Sequence, residues 1–237
     1  MLSSISGVLD NMTDRLVLFD IDETLIDSGR AGTRALNRAF IELFNVEDAF
    51  RDIKMAGMTD LRIIREGLRI QGLADRNGEV DMVVRRYLEL LVMEIENPWK
   101  KVKPGVFEIL DTLAGESVPV GLLTGNLEEG ARIKLTPFGL NRYFAAGSFG
   151  SDDEDRDMLL PIAIRKFSLL GINTIPGKCV VIGDTPRDVR CSRVHGAHSI
   201  GVATGSYSKD SLMDAGADIV IDSLEEKDSC LGFIHNL

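Results

Sequence analysis

Three short apolar runs, at 16–19, 118–123 and 180–182, each stop at a polar turn: Asp20-Ile21-Asp22-Glu23-Thr24, Thr124-Gly125-Asn126 and Gly183-Asp184-Thr185-Pro186-Arg187-Asp188. A strand that is apolar along its whole length and shows no alternation is buried on both faces, which is the condition of a strand in a parallel sheet covered by helices. From Lys103 onward, strands and helices alternate. Helices are predicted over 104–114, 127–136, 159–170, 186–194 and 208–215, and strands over 118–123, 143–149, 178–182, 198–202 and 218–221. That rhythm predicts an α/β fold with a parallel sheet of Rossmann type.

Between the first run and Lys103 the character changes. Residues 29–96 contain no convincing strand, and apolar positions three and four apart predict helices over 31–44, 60–71 and 80–96. Thr59 or Asp60 is placed to cap the second of these, and Gly72 to stop it. The expected organisation is therefore a core made of 1–25 and 103–237, with an α-helical cap inserted at 26–102.

Composition restricts the function classes. With 44% hydrophobic and 27% charged residues, the 237-residue chain reads as an ordinary globular protein. A net charge of −10 offers no basic field to phosphate backbones, so nucleic acid is not an expected partner. No apolar run reaches the roughly 20 residues of a membrane helix, and residues 1–14 carry no secretory-signal pattern. Cys179, Cys191 and Cys230 form no C-x-x-C pair; they read as reduced thiols in a cytoplasmic protein, Cys179 as a buried structural one.

In a parallel sheet the carboxyl ends of the strands share one edge, where ligands bind. Side chains two apart on a strand face the same way, so Asp20 and Asp22 are expected to point together, joined by Asp184 and, one helical turn on, by Asp188. Two carboxylates about 4 Å apart repel by about 4 kcal/mol at an effective dielectric near 20. Such a cluster calls for a cation, and oxygen-only ligands suit Mg²⁺. Thr124, Gly125 and Asn126 offer a hydroxyl, a close-turning backbone and a helix start for a phosphate, with Asn126 as N-cap and Glu129 as its capping-box partner. Thr185 and Pro186 read as N-cap and first residue of the next helix.

Taken together and in this order, Asp20/Asp22/Thr24, Thr124 and Gly183-Asp184…Asp188 resemble the haloacid dehalogenase superfamily of phosphohydrolases. The helical insertion resembles that family's helical-cap branch, and the tail 198–218 resembles phosphoglycolate-phosphatase-like members. The resemblance implies that Asp20 attacks phosphorus and that Asp22 serves as acid and then base. It implies that Mg²⁺ is held by Asp20, Asp184 and the backbone carbonyl of Asp22, with Thr24 and Asp188 in support and Thr124 on the phosphoryl oxygens. The substrate would be a small phosphorylated metabolite, and the protein a monomer or homodimer. Rivals are a phosphosugar mutase, a C–halogen hydrolase and a non-catalytic binding protein.

One departure stands out. Where the family has a lysine, the chain reads Asp152-Asp153-Glu154-Asp155-Arg156-Asp157, with no lysine before Lys166. Arg156 is expected to replace it as a phosphate-binding cation, although the two side chains are not equivalent. Glu23, where glycine is common, is expected to matter little. His195 and His198 read as structural, and Met55, Met58, Met82 and Met93 as cap packing. Arg30 and Arg34 read as solvated, and the 57–60 loop is a candidate to face the site.

Overall fold

The computed structural model describes residues 15–73 and 78–237; the reading of residues 1–14 as lacking a secretory signal lies outside the described residues. In chain order the main elements are β1 (Leu16–Phe19), β2 (Ile26–Asp27), α1 (Ala31–Phe44), α2 (Asp60–Ile70), α3 (Glu79–Glu94), β3 (Lys101–Val102) and α4 (Val106–Gly115). Then come β4 (Val120–Thr124), α5 (Glu128–Leu135), β5 (Gly147–Phe149), α6 (Leu159–Leu169), β6 (Cys179–Gly183) and α7 (Pro186–Arg193). The chain ends with β7 (His198–Val202), α8 (Lys209–Ala215), β8 (Ile219–Ile221) and α9 (Lys227–His235).

The six-stranded sheet runs in the order β5-β4-β1-β6-β7-β8, and every pairing in it is parallel. All four residues of β1 are fully buried. They alternate between two layers, as the pleat requires. Val17 and Phe19 pack with Ile109, Leu113 and Ile234, the side of α4 and α9. Leu16 and Leu18 pack with Leu160, Ala163 and Phe167, the side of α6. Burial on both faces is the physical reason that β1 and β6 read as unbroken apolar runs. Strand order reverses at β1, so the ends of β4, β1 and β6 flank the switch-point crevice.

Helices α1 to α3 build a second apolar cluster in which Ala35, Leu36 and Phe40 meet Val83, Tyr87 and Leu91. This cluster extends onto Leu127 at the start of α5, so the helical layer is seated on the sheet's carboxyl edge. A two-stranded antiparallel ribbon joins the layer to the sheet, with Ile26 opposite Val102 and Asp27 opposite Lys101. Neither this ribbon nor α9 was expected. Two-residue strands leave no periodicity to read. The strand expected over 143–149 shortens to Gly147–Phe149, because Leu140–Tyr143 is a 3₁₀ turn.

Candidate active site

The turn after β1 is tight: the amides of Leu25 and Ile26 both donate to the carbonyl of Ile21, and Glu23 takes a left-handed φ of 62°. That conformation is one glycine adopts freely, which explains why glycine is common there in the family the motifs resemble. Glu23 is also less idle than expected. Its carboxylate pairs with Lys103, and its carbonyl accepts from the Thr204 hydroxyl at 2.5 Å, which joins the turn, the ribbon and the loop after β7.

Asp20 is buried, and its amide donates to the Ile182 carbonyl of β6. Arg156 Nη2 donates to Asp20 Oδ1 at 3.0 Å and also to Asp188, while its Nη1 donates to the Gly57 carbonyl at 3.1 Å. Arg156 lies on a 3₁₀ turn (Arg156–Met158) leading into α6. Lys166 is elsewhere, paired with Asp152 at 2.7 Å. Thr185 and Pro186 open α7 as expected, and the capping box is completed by Asp188, whose Oδ2 accepts from the Thr185 amide and hydroxyl.

Burial and the nearby Asp188 and Asp22 charges push the Asp20 carboxyl up to about 6 in spite of Arg156. Burial, with Asp188 and Asp20 close by, pushes Asp184 up to about 9. Thr24 donates weakly to Asp184, at 3.5 Å. Asp20, Asp184 and Asp188 each offer a carboxylate oxygen, all within 4.8 Å of one another.

Asp22 differs from the expectation. It shares the cavity with Asp20, but its carboxyl is not part of that three-residue cluster. Its Oδ2 accepts from Lys134 Nζ at 2.6 Å and from Asn126 Nδ2 at 2.9 Å. Burial alone would raise its pKa; the Lys134 charge, with the Lys134 and Asn126 hydrogen bonds, overrides this and lowers it. Asn126 does not cap α5. Its amide nitrogen reaches Thr124 Oγ1 at 2.8 Å and its oxygen accepts from Lys134 at 2.5 Å. The start of α5 is capped from the insertion: Asp60 Oδ2 accepts the Leu127 amide at 3.0 Å. Thr59 makes no cap to α2 either; its hydroxyl donates to the Glu154 carbonyl.

These groups line a cavity of about 220 Å³. From the sheet edge it takes Asp20, Asp22, Thr124, Gly125, Asn126, Lys134, Arg156 and Asp184; from the insertion it takes Thr33, Met58, Asp60 and Tyr87, among others. The 57–60 loop does face it, through Gly57, Met58 and Asp60. Met55 lines it as well, whereas Met82 and Met93 are exposed on α3 and are not packing residues. Arg30 lines the cavity as well; Arg34 is partly exposed and paired with Glu94 at 2.6 Å. His195 Nε2 meets the Asp157 carbonyl at 2.6 Å and His198 sits 3.4 Å from Asp218, both away from the cavity.

Lys134 and Tyr87 are cavity residues the sequence reading missed, as it missed the reach of Asp60 to the start of α5. A signal for Lys134 was present: it lies three and four positions beyond Ala131 and Gly130, on the buried stripe of α5.

Fold and cavity together define a doubly wound α/β protein with an acidic crevice at its switch point and a helical insertion over it. The haloacid dehalogenase-like hydrolase family matches residues 17–202, and the chain belongs to that family. A phosphoglycolate phosphatase of Agrobacterium fabrum is 25% identical over 215 residues, covering 87% of this chain and 88% of its own. A probable phosphatase, IndB, of Dickeya dadantii is 27% identical over 223 residues, covering 89% and 90%. Among solved structures, CbbY of Rhodobacter sphaeroides in complex with phosphate has the same fold, with a TM-score of 0.74 at 19% identity, covering 90% of this chain and 96% of that one. Among the described residues no helix is long and apolar enough to cross a membrane, and the three cysteines are free and buried.

Proposed function

We propose that the protein is a Mg²⁺-dependent phosphatase that hydrolyses a small phosphomonoester metabolite through an aspartyl-phosphate on Asp20. The observation that carries this reading is a buried trio of carboxylates, Asp20, Asp184 and Asp188, facing a single guanidinium, Arg156. Membership in a hydrolase family and the phosphatase names of its relatives support the same reading.

The residues fit a divalent cation. Three carboxylates against one arginine leave an excess of negative charge, and Asp184 answers it by holding a proton up to about 9. Both oxygens of Asp188 are occupied by Arg156 and Thr185, so Asp20 and Asp184 are the carboxylates free to hold the ion, with the Asp22 carbonyl as third ligand. When bound, Mg²⁺ would neutralise this excess and draw charge from the phosphoryl oxygens.

The chain's own groups then divide the work. Asp20 attacks phosphorus as the bond to the leaving oxygen breaks. Arg156 holds Asp20 and lies beside the space for the transferring group. The Thr124 hydroxyl and the backbone at Gly125 and Asn126 bind the equatorial oxygens. Asp22 gives a proton to the leaving alcohol, and then takes one from the water that cleaves the acyl phosphate. In this proposal residues 26–102 form a cap domain on a core of 1–25 and 103–237, and the cap excludes bulk water during both steps. The buried reduced thiols accord with a cytoplasmic setting.

Phosphate release from p-nitrophenyl phosphate, with Mg²⁺ and then with excess chelator, tests the reading. Release that depends on Mg²⁺ and is abolished by Asp20→Asn supports it. Asp20→Asn turning over at the parent rate, or release indifferent to chelator, overturns it.

A further inference from the structure

Lys134 is charged, almost wholly buried, and absent from the chemistry just described. Its stripe on α5 is otherwise filled by Gly130, Ala131 and Leu135, so an apolar side chain would satisfy packing. Taking a lysine and a carboxylate out of water costs about as much as their attraction returns, so such a pair is a poor stability device. Geometry is what the pair supplies. Lys134 Nζ and Asn126 Nδ2 both donate to the same oxygen of Asp22, Oδ2, at 2.6 and 2.9 Å. Lys134 also donates to Asn126 Oδ1, which fixes the amide so that its nitrogen faces Asp22 and Thr124. One oxygen of Asp22 is held twice, while the side chain as a whole stays 39% exposed to the cavity.

The insertion closes around this contact. A Cβ on Gly32 of α1 would lie 3.4 Å from Lys134 Nζ, and Tyr87 of α3 and Asp60 of α2 line the same part of the cavity. Water is thereby kept from the ammonium and its grip on Asp22 Oδ2 is strengthened.

Resting on the phosphatase reading above, we propose that Lys134 is a positioning residue: it pins Asp22 by Oδ2 and so presents Oδ1 to the leaving oxygen and, later, to the attacking water. The proton moves between Asp22 Oδ1 and the substrate oxygen or water; Lys134 exchanges none.

Rapid mixing of the full-length Lys134→Met variant with Mg²⁺ and two esters tests this. Nitrophenolate leaves without a proton, so its first-turnover release should stay within about 3-fold of the parent, followed by steady turnover slowed about 30-fold, which gives a burst. An alkyl phosphate needs the proton to depart, and its first turnover should fall about 100-fold because Oδ1 is no longer aimed, even though loss of the Lys134 charge leaves more of Asp22 protonated. First-turnover rates that fall by the same factor for both esters overturn the proposal. Should Lys134→Met fail to fold because Asp22 has lost its ammonium partner, Asp22→Asn with Lys134→Met removes both charges. That double variant should match Asp22→Asn alone within about 3-fold on each ester, and a further loss of about 10-fold or more overturns the proposal. The parent's rate on the nitrophenyl ester reports on the phosphatase reading alone, whereas the alkyl-to-nitrophenyl ratio of variant against parent reports on Lys134.

Discussion

Arg156 Nη2 and Asp20 Oδ1 lie 3.0 Å apart, although 136 positions separate the two residues in the chain. The same nitrogen reaches Asp188, and the second terminal nitrogen reaches the Gly57 carbonyl in the insertion. The guanidinium therefore ties together the ends of β1 and β6 and the insertion's loop.

A lysine at this position can reach one or two of those partners, not three in a planar fork. Arg156→Lys is expected to lower kcat/KM for a phosphomonoester by about 100-fold while the protein stays folded. Arg156→Met leaves Asp188 buried without its cation and is expected to cost about 3 kcal/mol or more of stability. Urea titration beside steady-state kinetics separates the two effects. Kinetics for Arg156→Lys equal to the parent's would show that the site needs a cation here and not the planar fork.

The metal-free protein should lose stability as pH rises. Asp184 has an ordinary carboxyl value of 3.8 and is pushed up to about 9 by burial and by Asp188 and Asp20. Its folded state therefore binds the proton more tightly than the unfolded chain does. That contribution is complete below about 4 and is lost as pH rises towards about 9. With chelator present, Tm should decline from pH 6 to pH 9. Added Mg²⁺ should raise Tm, and by more at pH 8.5 than at pH 6, because proton and metal compete for the same carboxylate. A Tm increment independent of pH would place the ion elsewhere.

Asp60 reaches out of the insertion to cap a helix of the core, and it also makes backbone contact there, its amide donating to the Gly125 carbonyl at 2.7 Å. Asp60→Ala leaves the Leu127 amide without its acceptor, and is expected to cost about 1 kcal/mol of stability. Asp60→Asn keeps an acceptor oxygen and relieves the burial that raises the Asp60 carboxyl, and is expected to cost less. Chemical denaturation of the two variants side by side checks the order. A loss for the asparagine as large as that for the alanine would show that the charge, which both variants remove, matters more than the hydrogen bond.

The legible parts of this protein were those where one residue type has a single physical explanation. Four apolar residues in β1 followed by Asp20 admit little but a doubly covered strand at a polar edge, and Asp184 repeats the pattern after β6. Arg156 was found through the family resemblance, as the only cation close to the place where that family has a lysine. Lys134 was hidden by its type, since a lysine in an eight-residue helix with Glu128, Glu129 and Arg132 passes for one more solvated charge. Asp60 was hidden by its place, since an acid at a helix start is read as serving its own helix. Asn126 was misread for the same reason: its amide was taken up by Asp22 and Thr124, which no local pattern reveals.

Gly125 sits where the insertion packs directly on the sheet edge. A Cβ there would lie 2.2 Å from the Met58 carbonyl oxygen and 3.1 Å from the Thr59 Cα. Both are backbone atoms of the loop that carries Asp60, so no side chain can turn aside to make room. Gly125→Ala must therefore displace either the Thr124–Asn126 turn or the 57–60 loop. Moving the loop draws Gly57 away from Arg156 and Asp60 away from Leu127, which opens the cavity to water without touching Asp20 or Asp184. The expected result is a fall in kcat/KM of about 100-fold, with a Mg²⁺-induced rise in Tm close to the parent's. Loss of the Mg²⁺ effect together with activity would show that the turn had moved and taken the acidic cluster with it.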